Sequence, residues 1–294
     1  MQIVAVAEQD KSALVSELDT AEVLLHVLSP VGRELMDGAP RLRLIQKLGT
    51  GVNTIDRAYA AERGIRVANT PGANSQAVAE HTLALMLAVL RHVPQLDSAT
   101  RSGNGWAQSA HHLERSGEVS GRVVGFVGFG AVPRLLTPVL MLLGAKVICF
   151  ARSTSKISPE IRNVGLVELF QTSDIVSLHL PLCASTEQMI TAQLLGRMKA
   201  GSILINTARG GLIREMDLVK ALQRGPLAAA GLDVFAEEPV PRNSTLLALD
   251  NAVLSPHVAW YTPESIRRSL DAALENCRRL RAGELILNEV LFGH

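Results

Sequence analysis

The chain has 294 residues, of which 47% are hydrophobic and 19% are charged. This length and apolar content predict two domains, each with its own core. The 29 basic residues nearly balance the 28 acidic ones, giving a formal net charge of +1, and neither sign forms blocks, which argues against nucleic acid or an anionic membrane as a partner.

The chain shows no sign of a membrane segment, a signal peptide or a metal site. Its most apolar windows, at 81–90 and 139–150, are too short or too interrupted to span a bilayer. The three cysteines are too widely spaced for a disulfide framework. Adjacent histidines, His111 and His112, point apart in a predicted loop and lack a third ligand. We therefore expect a cytoplasmic protein with reduced thiols and no metal.

The first part of the chain predicts a small α/β domain. Residues 75–102 predict one long apolar helix, and residues 263–282 predict an amphipathic helix followed by a tail that packs on this domain. We expect both helices to cross between domains, with Glu80 and His81 as polar contacts there. The predicted strands are at 2–7, 21–28, 42–49 and 65–71, and a short helix is predicted at 56–62.

From residue 123 onward, short apolar runs alternate with helical stretches. This alternation predicts a parallel, doubly wound sheet of the Rossmann type, because strands buried on both faces carry unbroken apolar runs. The domain boundaries that follow are 1–98 with 262–294 for one domain, and 99–261 for the other. The runs that predict strands are at 123–128, 146–150, 174–181, 202–207, 228–234 and 251–256.

A glycine turn after the first of these strands predicts a dinucleotide site. Gly128 and Gly130 precede a helix whose first residues, Ala131 and Val132, would point N–H groups at a pyrophosphate. Proline at 133 replaces the usual third glycine but is tolerated in a first helical turn. A further proline, Pro138, predicts that this helix bends or begins late.

The end of the second strand bears on the choice of cofactor. The positions that follow it are Arg152, Ser153 and Thr154, with no carboxylate to accept hydrogen bonds from a ribose. An arginine and two hydroxyls suit a 2′-phosphate, so we expect NADP in preference to NAD. The alternative is that Arg152 only stacks on the adenine.

Three residues from separate segments, Arg209, Glu238 and His257, predict a catalytic site for a 2-oxo acid. Such a substrate needs a guanidinium for its carboxylate, an acid/base for its carbonyl, and a carboxylate to hold that base. A carboxylate also stabilises a protonated imidazole. Each residue alone has an ordinary surface or structural interpretation. The three together, in the phrases NTARGG, LDVFAEEP and SPHVAW, favour the catalytic one.

These phrases, with GTGVNTID, VVGFVGFG and SDIVSLHLPLCAST, occur in an order that resembles the D-isomer-specific 2-hydroxyacid dehydrogenases. That family includes glyoxylate/hydroxypyruvate reductases. The resemblance covers almost the whole chain. It implies a Rossmann-type domain, a smaller flavodoxin-like α/β domain formed by both chain ends, and hydride transfer between NAD(P)H and a 2-oxo acid to give the D-2-hydroxy acid.

The resemblance also implies roles for individual residues. Arg209 would bind the carboxylate and carbonyl, His257 would be the acid/base, and Glu238 would hold the imidazole. Trp260 and Tyr261 depart from the family pattern, because smaller residues often follow the catalytic histidine, and their bulk would restrict the substrate pocket or reach toward a neighbouring subunit. Amides at Thr50, Gly51 and Val52 would receive the carboxylate, and the cofactor would also contact Pro181, Thr186, Thr207, Ala208, Asp233, His257 and Ala259.

The substrate and the assembly are further expectations. The loop at Leu28, Ser29 and Pro30 has no basic residue, which favours a small, unphosphorylated acid such as glyoxylate or hydroxypyruvate. The alternatives are a phosphoglycerate dehydrogenase and a nucleotide-sensing, corepressor-like binding module, because HVAWYT is similar to a phrase of those corepressors. By resemblance, the helix at 75–102 and the loop after Trp106 would form a homodimer contact.

Overall fold

A computed structural model describes residues 2–7, 10–107, 116–155 and 157–290 of the protein. His111 and His112 lie outside the described residues. The described helices are α1 Lys11–Leu18, α2 Arg33–Asp37, α3 Arg57–Glu62, α4 Ser75–Leu90, α5 Val93–Arg101, α6 Ala131–Leu142, α7 Leu166–Thr172, α8 Ala192–Leu195, α9 Glu215–Arg224 and α10 Pro263–Ala282. The described strands are β1 Val23–His26, β2 Leu44–Lys47, β3 Arg66–Ala68, β4 Val123–Val127, β5 Lys146–Phe150, β6 Arg162–Asn163, β7 Ile175–Leu178, β8 Ser202–Asn206, β9 Leu227–Leu232 and β10 Ala252–Leu254.

The chain divides into two compact units, 1–74 with 261–294 and 75–260. The first boundary between the units lies at 74/75 and not at the predicted 98/99. The reason is that α4 buries Ala79, Leu85, Met86 and Val89 in the core of the larger unit, where it packs against α6, β8 and β9.

In the smaller unit, β1, β2 and β3 form a parallel sheet in that order. The predicted packing of the C-terminal tail is confirmed for residues 283–290. Glu289 forms an antiparallel bridge with Ala68 and an ion pair with Arg66, and Val290 N–H donates to the Val67 carbonyl at 2.7 Å. The tail thus lies along the free side of β3.

The prediction of a strand at 2–7 is wrong. These residues form no regular structure, and Ile3 and Val4 are 57% and 46% exposed. They line a cavity of about 730 Å³, together with Leu18, Leu24 and Cys277, instead of pairing with β1. An apolar pattern favours a strand, but a strand also needs a partner for its backbone groups, which the pattern does not supply.

In the larger unit, seven parallel strands have the order β10-β9-β8-β7-β4-β5-β6. The predicted doubly wound sheet is confirmed. The chain runs from β4 to one side of the sheet and then returns to β7 to build the other side. The order therefore reverses between β4 and β7, and in such sheets ligands bind at the carboxyl ends of the strands beside that point.

The prediction of a single helix at 75–102 is also wrong, because this segment forms two helices. The segment is broken at His92, whose φ is 51°, into α4 and α5. Pro94 lies in the first turn of α5 and has no N–H to donate to the helix before it. The Leu90 carbonyl instead accepts the N–H of Gly117 at 2.9 Å.

Helix α6 begins at Ala131, directly after the glycine turn, so the prediction of a late start is wrong. It includes Pro138 on its exposed side. The Thr137 hydroxyl donates to the Pro133 carbonyl at 2.8 Å. Proline at this position removes one backbone donor from the helix, and its exposure keeps its ring out of the core.

Candidate active site

At the glycine turn that ends β4, the backbone of Gly128 lies close to the backbone of His179. Gly128 has a φ of 96°, and a Cβ at this position would lie 2.7 Å from the carbonyl oxygen of His179. Gly130 is the N-cap of α6, and a Cβ added there meets nothing within 4 Å. The amides of Ala131 and Val132 have no acceptor within their own helix. This open, positively polarised helix end fits a pyrophosphate.

The segment after β5 presents the residues predicted to select the cofactor. Arg152, Ser153 and Thr154 are exposed. Asn163 fixes the start of this segment, because its side chain accepts the Ala151 N–H at 2.9 Å and donates to the Ala151 carbonyl at 3.0 Å. Asn163 was not predicted, since β6 has two exposed residues and no apolar pattern.

Further predicted cofactor residues follow β7 and β8. The Thr186 hydroxyl donates to the Pro181 carbonyl at 2.7 Å and accepts the Cys183 N–H at 2.9 Å, which closes the loop after β7. After β8, the Thr207 hydroxyl bonds the Thr82 hydroxyl of α4 at 2.8 Å. These residues thus lie at the carboxyl ends of the strands, beside the point where the strand order reverses.

Arg209 is held by a fixed turn after β8. The buried Asn206 side chain accepts the N–H of Ala208 and donates to the carbonyl of Arg209, both at 3.0 Å. Next to it, a Cβ on Gly210 would lie 1.9 Å from the backbone of Phe235. Only glycine allows this approach, which brings the Arg209 turn against the loop that carries Glu238.

Glu238 and His257 form a hydrogen-bonded pair in the larger unit. His257 Nδ1 lies 2.6 Å from Glu238 Oε2, and the other oxygen, Oε1, accepts the N–H of Phe235 at 2.9 Å. Burial favours the neutral acid. The bonds from His257 and Phe235 and the charge of Arg209 outweigh it, so the pKa of Glu238 is lowered. Glu238 is therefore charged at neutral pH.

Arg209 shares this electrostatic environment. Burial lowers the pKa of its guanidinium, and the negative charge of Glu238 opposes that effect. Its Nη1 donates to the Ala208 carbonyl at 2.6 Å. The structure therefore brings together the three residues that the sequence analysis proposed as one site.

Asp233 holds the turn that carries His257, a role that the sequence analysis did not foresee. Its carboxylate accepts the N–H groups of Val258 at 3.0 Å and Ala259 at 2.9 Å, and the hydroxyl of Ser255 at 2.6 Å. The indole N–H of Trp260 donates to the His257 carbonyl at 2.8 Å. Trp260 is thereby tied to the same turn.

The predicted substrate amides at Thr50, Gly51 and Val52 lie after β2 in the smaller unit. The Gly49 carbonyl accepts the Thr70 N–H at 2.9 Å, and the Thr50 carbonyl accepts from Asn69 at 2.8 Å. These bonds fix the loop through its carbonyl groups. Lys47 was not predicted either. It is a buried cation whose ammonium donates to the Val27 carbonyl, beside the loop at 28–30.

Two histidines have other environments. His179 packs edge-on against Phe126, with ring centroids 5.4 Å apart, and burial lowers its pKa to about 3. It is therefore neutral at neutral pH. His81 bonds Ser255 at 2.8 Å within the larger unit, a contact that the prediction of an interdomain role did not anticipate.

Two further properties concern the described part of the chain. Among these residues, no group of three or more His, Cys, Asp or Glu side chains is placed to hold a metal ion. No described helix combines the length and hydropathy that crossing a membrane requires.

Comparison with protein families identifies the larger unit. Residues 83–259 match the model of the D-isomer specific 2-hydroxyacid dehydrogenase NAD binding domain. The chain belongs to this family. It is accordingly a nicotinamide-dependent 2-hydroxyacid dehydrogenase, and the family predicted from its motifs is confirmed.

Similar proteins cover most of the chain. A glyoxylate reductase of Korarchaeum cryptofilum is 34% identical over 97% of this chain and 87% of its own length. A hydroxypyruvate reductase of Blautia hydrogenotrophica is 32% identical over 93% and 86%. The crystal structure of D-lactate dehydrogenase from Aquifex aeolicus, complexed with NAD and lactic acid, superposes with a TM-score of 0.85 at 28% identity, over 95% of this chain and 90% of that one.

Proposed function

We propose that this dehydrogenase reduces a small, unphosphorylated 2-oxo acid of the glyoxylate/hydroxypyruvate class to the D-2-hydroxy acid. The observation that carries the proposal is the His257–Glu238 pair beside Arg209, at the carboxyl edge of the sheet that also bears the glycine turn. The glyoxylate and hydroxypyruvate reductases among its relatives support this substrate class.

In the proposed mechanism, the nicotinamide supplies a hydride to the carbonyl carbon. Arg209 binds the carboxylate and polarises the carbonyl oxygen through charge-assisted hydrogen bonds. His257 donates a proton from Nε2 to that oxygen, because its Nδ1 is engaged by Glu238. Glu238 fixes the orientation of the ring and stabilises its protonated form. In the reverse direction, neutral His257 accepts the proton from the hydroxyl group.

The two units have different proposed roles. The larger unit, 75–260, would bind the cofactor through the glycine turn and the residues after β5, β7 and β8. The smaller unit, 1–74 with 261–294, would bind the substrate carboxylate through the amides of Thr50, Gly51 and Val52. The predicted boundary of the cofactor domain moves accordingly from 99 to 75.

An assay of NAD(P)H oxidation tests the substrate class. We expect glyoxylate and hydroxypyruvate to be reduced with a higher kcat/KM than a 3-phosphorylated 2-oxo acid, because the loop at 28–30 offers no basic side chain for a phosphate. A preference for the phosphorylated acid would instead support a phosphoglycerate dehydrogenase, with Lys47 as its cation. Absence of turnover with every 2-oxo acid would support the corepressor-like binding module.

We propose NADP as the preferred cofactor, since Arg152, Ser153 and Thr154 are exposed where a 2′-phosphate would lie. One charge-assisted hydrogen bond contributes about 1.5 kcal/mol or more, which corresponds to about tenfold in binding. The same assay should therefore give a kcat/KM about tenfold higher with NADPH than with NADH. Equal values with the two cofactors would mean that Arg152 does not bind the phosphate.

We further propose a homodimer in the cytoplasm. Apolar side chains are exposed in the proposed contact region. They include Leu87 and Val93 at 75–102, and Trp106, which directly precedes the proposed contact loop and is 87% exposed. Large exposed apolar patches often mark association sites, and the family resemblance places the dimer contact in this region. Light scattering after size-exclusion chromatography should give twice the 31.5 kDa chain mass. A monomer mass would refute the dimer, and recovery of the native protein in a membrane or extracellular fraction would refute the location.

A further inference from the structure

A chain of hydrogen bonds runs from α4 to the turn that carries His257. His81 Nε2 lies 2.8 Å from Ser255 Oγ, and Ser255 Oγ lies 2.6 Å from Asp233 Oδ1. Because the carboxylate can only accept, the serine hydroxyl must donate to it. The serine oxygen is then the acceptor for the N–H of His81. The direction of the chain is therefore from His81 through Ser255 to Asp233.

Asp233 is the end of this chain and the centre of the turn. Its main-chain carbonyl accepts the N–H of His257 at 2.7 Å, and its carboxylate accepts the next two amides, those of Val258 and Ala259. Three consecutive N–H groups thus bond one residue. The position of His257 along the sheet edge is therefore restrained by the main chain of Asp233 and, through the two amides that follow, by its side chain; the His257 N–H also lies 3.1 Å from the Ser255 carbonyl.

The backbone of this turn needs such support. His257 has a φ of 55°, in the left-handed region that residues other than glycine rarely adopt. A residue in this conformation costs free energy and persists only where the surrounding structure holds it. The bonds to Asp233 supply that restraint.

The carboxylate that supplies the restraint is itself buried. The Asp233 side chain is 1% exposed, whereas that of His81 is 28% exposed. A buried carboxylate must have its oxygens bonded. Oδ1 receives one backbone N–H and the Ser255 hydroxyl, and His81 fixes the direction of that hydroxyl while its ring lies 3.5 Å from the same oxygen.

We propose that His81 and Ser255 are positioning residues for catalysis, which fix the Asp233 carboxylate and through it the left-handed turn that places His257. The inference rests on the proposed acid/base role of His257. It assigns no contact with substrate or cofactor to His81. A side chain on a helix outside the catalytic loops thereby sets the geometry of the proton donor.

The alternative is that the chain of bonds only anchors α4 to the sheet. An anchoring role predicts that loss of the bonds lowers the thermal stability but leaves the turnover of the folded enzyme unchanged. A positioning role predicts a fall in kcat with little change in KM, because small displacements of a reacting group are costly while substrate affinity is set elsewhere.

The test compares His81→Leu with His81→Gln, because the glutamine amide can place an N–H donor near the position of Nε2. We expect His81→Leu to lower kcat about tenfold, with KM values for cofactor and 2-oxo acid changed by less than about threefold. His81→Gln should recover most of the loss. A wild-type kcat in His81→Leu would overturn the proposal, as would an equal loss in both variants.

Two further measurements keep the test decisive if His81→Leu folds poorly. Ser255→Ala should lower kcat to a similar extent, and adding His81→Leu to it should cause little further loss, since both act on one chain of bonds. Fully additive losses would contradict the proposal. Hydrogen exchange in the peptide containing Val258 and Ala259 should be faster in His81→Leu and restored in His81→Gln, and unchanged exchange would also contradict it.

The catalytic role of His257 and the positioning role of His81 can be refuted separately. If His257→Ala keeps wild-type activity, the catalytic assignment of His257 falls and the positioning role falls with it. If His257→Ala is inactive while His81→Leu has wild-type kinetics and hydrogen exchange, the positioning role alone is refuted.

Discussion

Replacing His257 with alanine is expected to lower kcat/KM for 2-oxo acid reduction at least about a hundredfold, the contribution typical of a general acid. The imidazole is the proposed proton donor, and Glu238 engages its Nδ1 at 2.6 Å. Cofactor binding, measured by fluorescence titration with NADPH, should weaken far less than kcat/KM falls, because His257 is only one of the residues expected to contact the cofactor. A His257→Ala enzyme with wild-type kcat/KM would refute the assignment.

The role of Glu238 gives this prediction a pH dependence. Its lowered pKa keeps the carboxylate charged at neutral pH, and a charged partner stabilises the protonated imidazole that reduction requires. In Glu238→Gln, reduction should therefore be slower than in the wild type at neutral pH, and the fall in rate that follows protonation of this carboxylate in acid should be absent.

The matched control is Glu237→Gln, which removes an exposed carboxylate from the neighbouring position of the same loop. Its pH profile should coincide with that of the wild type. If Glu237→Gln and Glu238→Gln change the profile equally, the effect comes from the general negative charge of the loop and not from the pair with His257.

The stability of the protein should respond to pH through the same carboxylate. Glu238 has a lower pKa in the folded protein than its usual value, so its contribution is present above the usual value and is lost as the pH falls through the folded one. The wild type should therefore lose more stability in acid than Glu238→Gln does.

Local patterns in the sequence predicted the residues of the site because each lies in a short segment with its own physical reason. A glycine turn between a strand and a helix predicts a phosphate site wherever it occurs. Arg209, Glu238 and His257 follow strands of one parallel sheet, and the carboxyl ends of such strands meet at one edge. Their proximity follows from the topology, which the alternation of apolar runs had already indicated.

Features that depend on distant partners could not be predicted in this way. The apolar run at 2–7 has the pattern of a strand, but whether a neighbouring strand pairs with it is a tertiary property. The break at His92 depends on Pro94 together with Gly117, which is 25 positions away from His92 in the chain and bonds Leu90. The approach of Gly210 to Phe235 and the bonds of Asp233 likewise join separate loops.

Replacing Arg209 with lysine is expected to lower kcat/KM about a hundredfold, although the positive charge is retained. A guanidinium offers two parallel N–H donors to a carboxylate, whereas an ammonium acts as a point charge. The ammonium can keep one contact with the carboxylate, but the second parallel bond and the bond to the carbonyl oxygen would be lost. Two charge-assisted hydrogen bonds at about 1.5 kcal/mol each correspond to about 3 kcal/mol, or about a hundredfold. The turn made by Asn206 and Gly210 fixes the backbone at this position, so a lysine cannot recover the geometry by moving its main chain.

Arg214→Lys is the matched control, since Arg214 lies five residues further on, its side chain is 56% exposed, and its contact with Asp217 is 3.9 Å long. It should have wild-type kinetics. In Arg209→Ala, added guanidinium should restore part of the activity, because the space left by the side chain can admit the free cation. Wild-type kcat/KM in Arg209→Lys would show that a single positive charge suffices. Arg209 would then act on the substrate only through its charge and not through bidentate recognition.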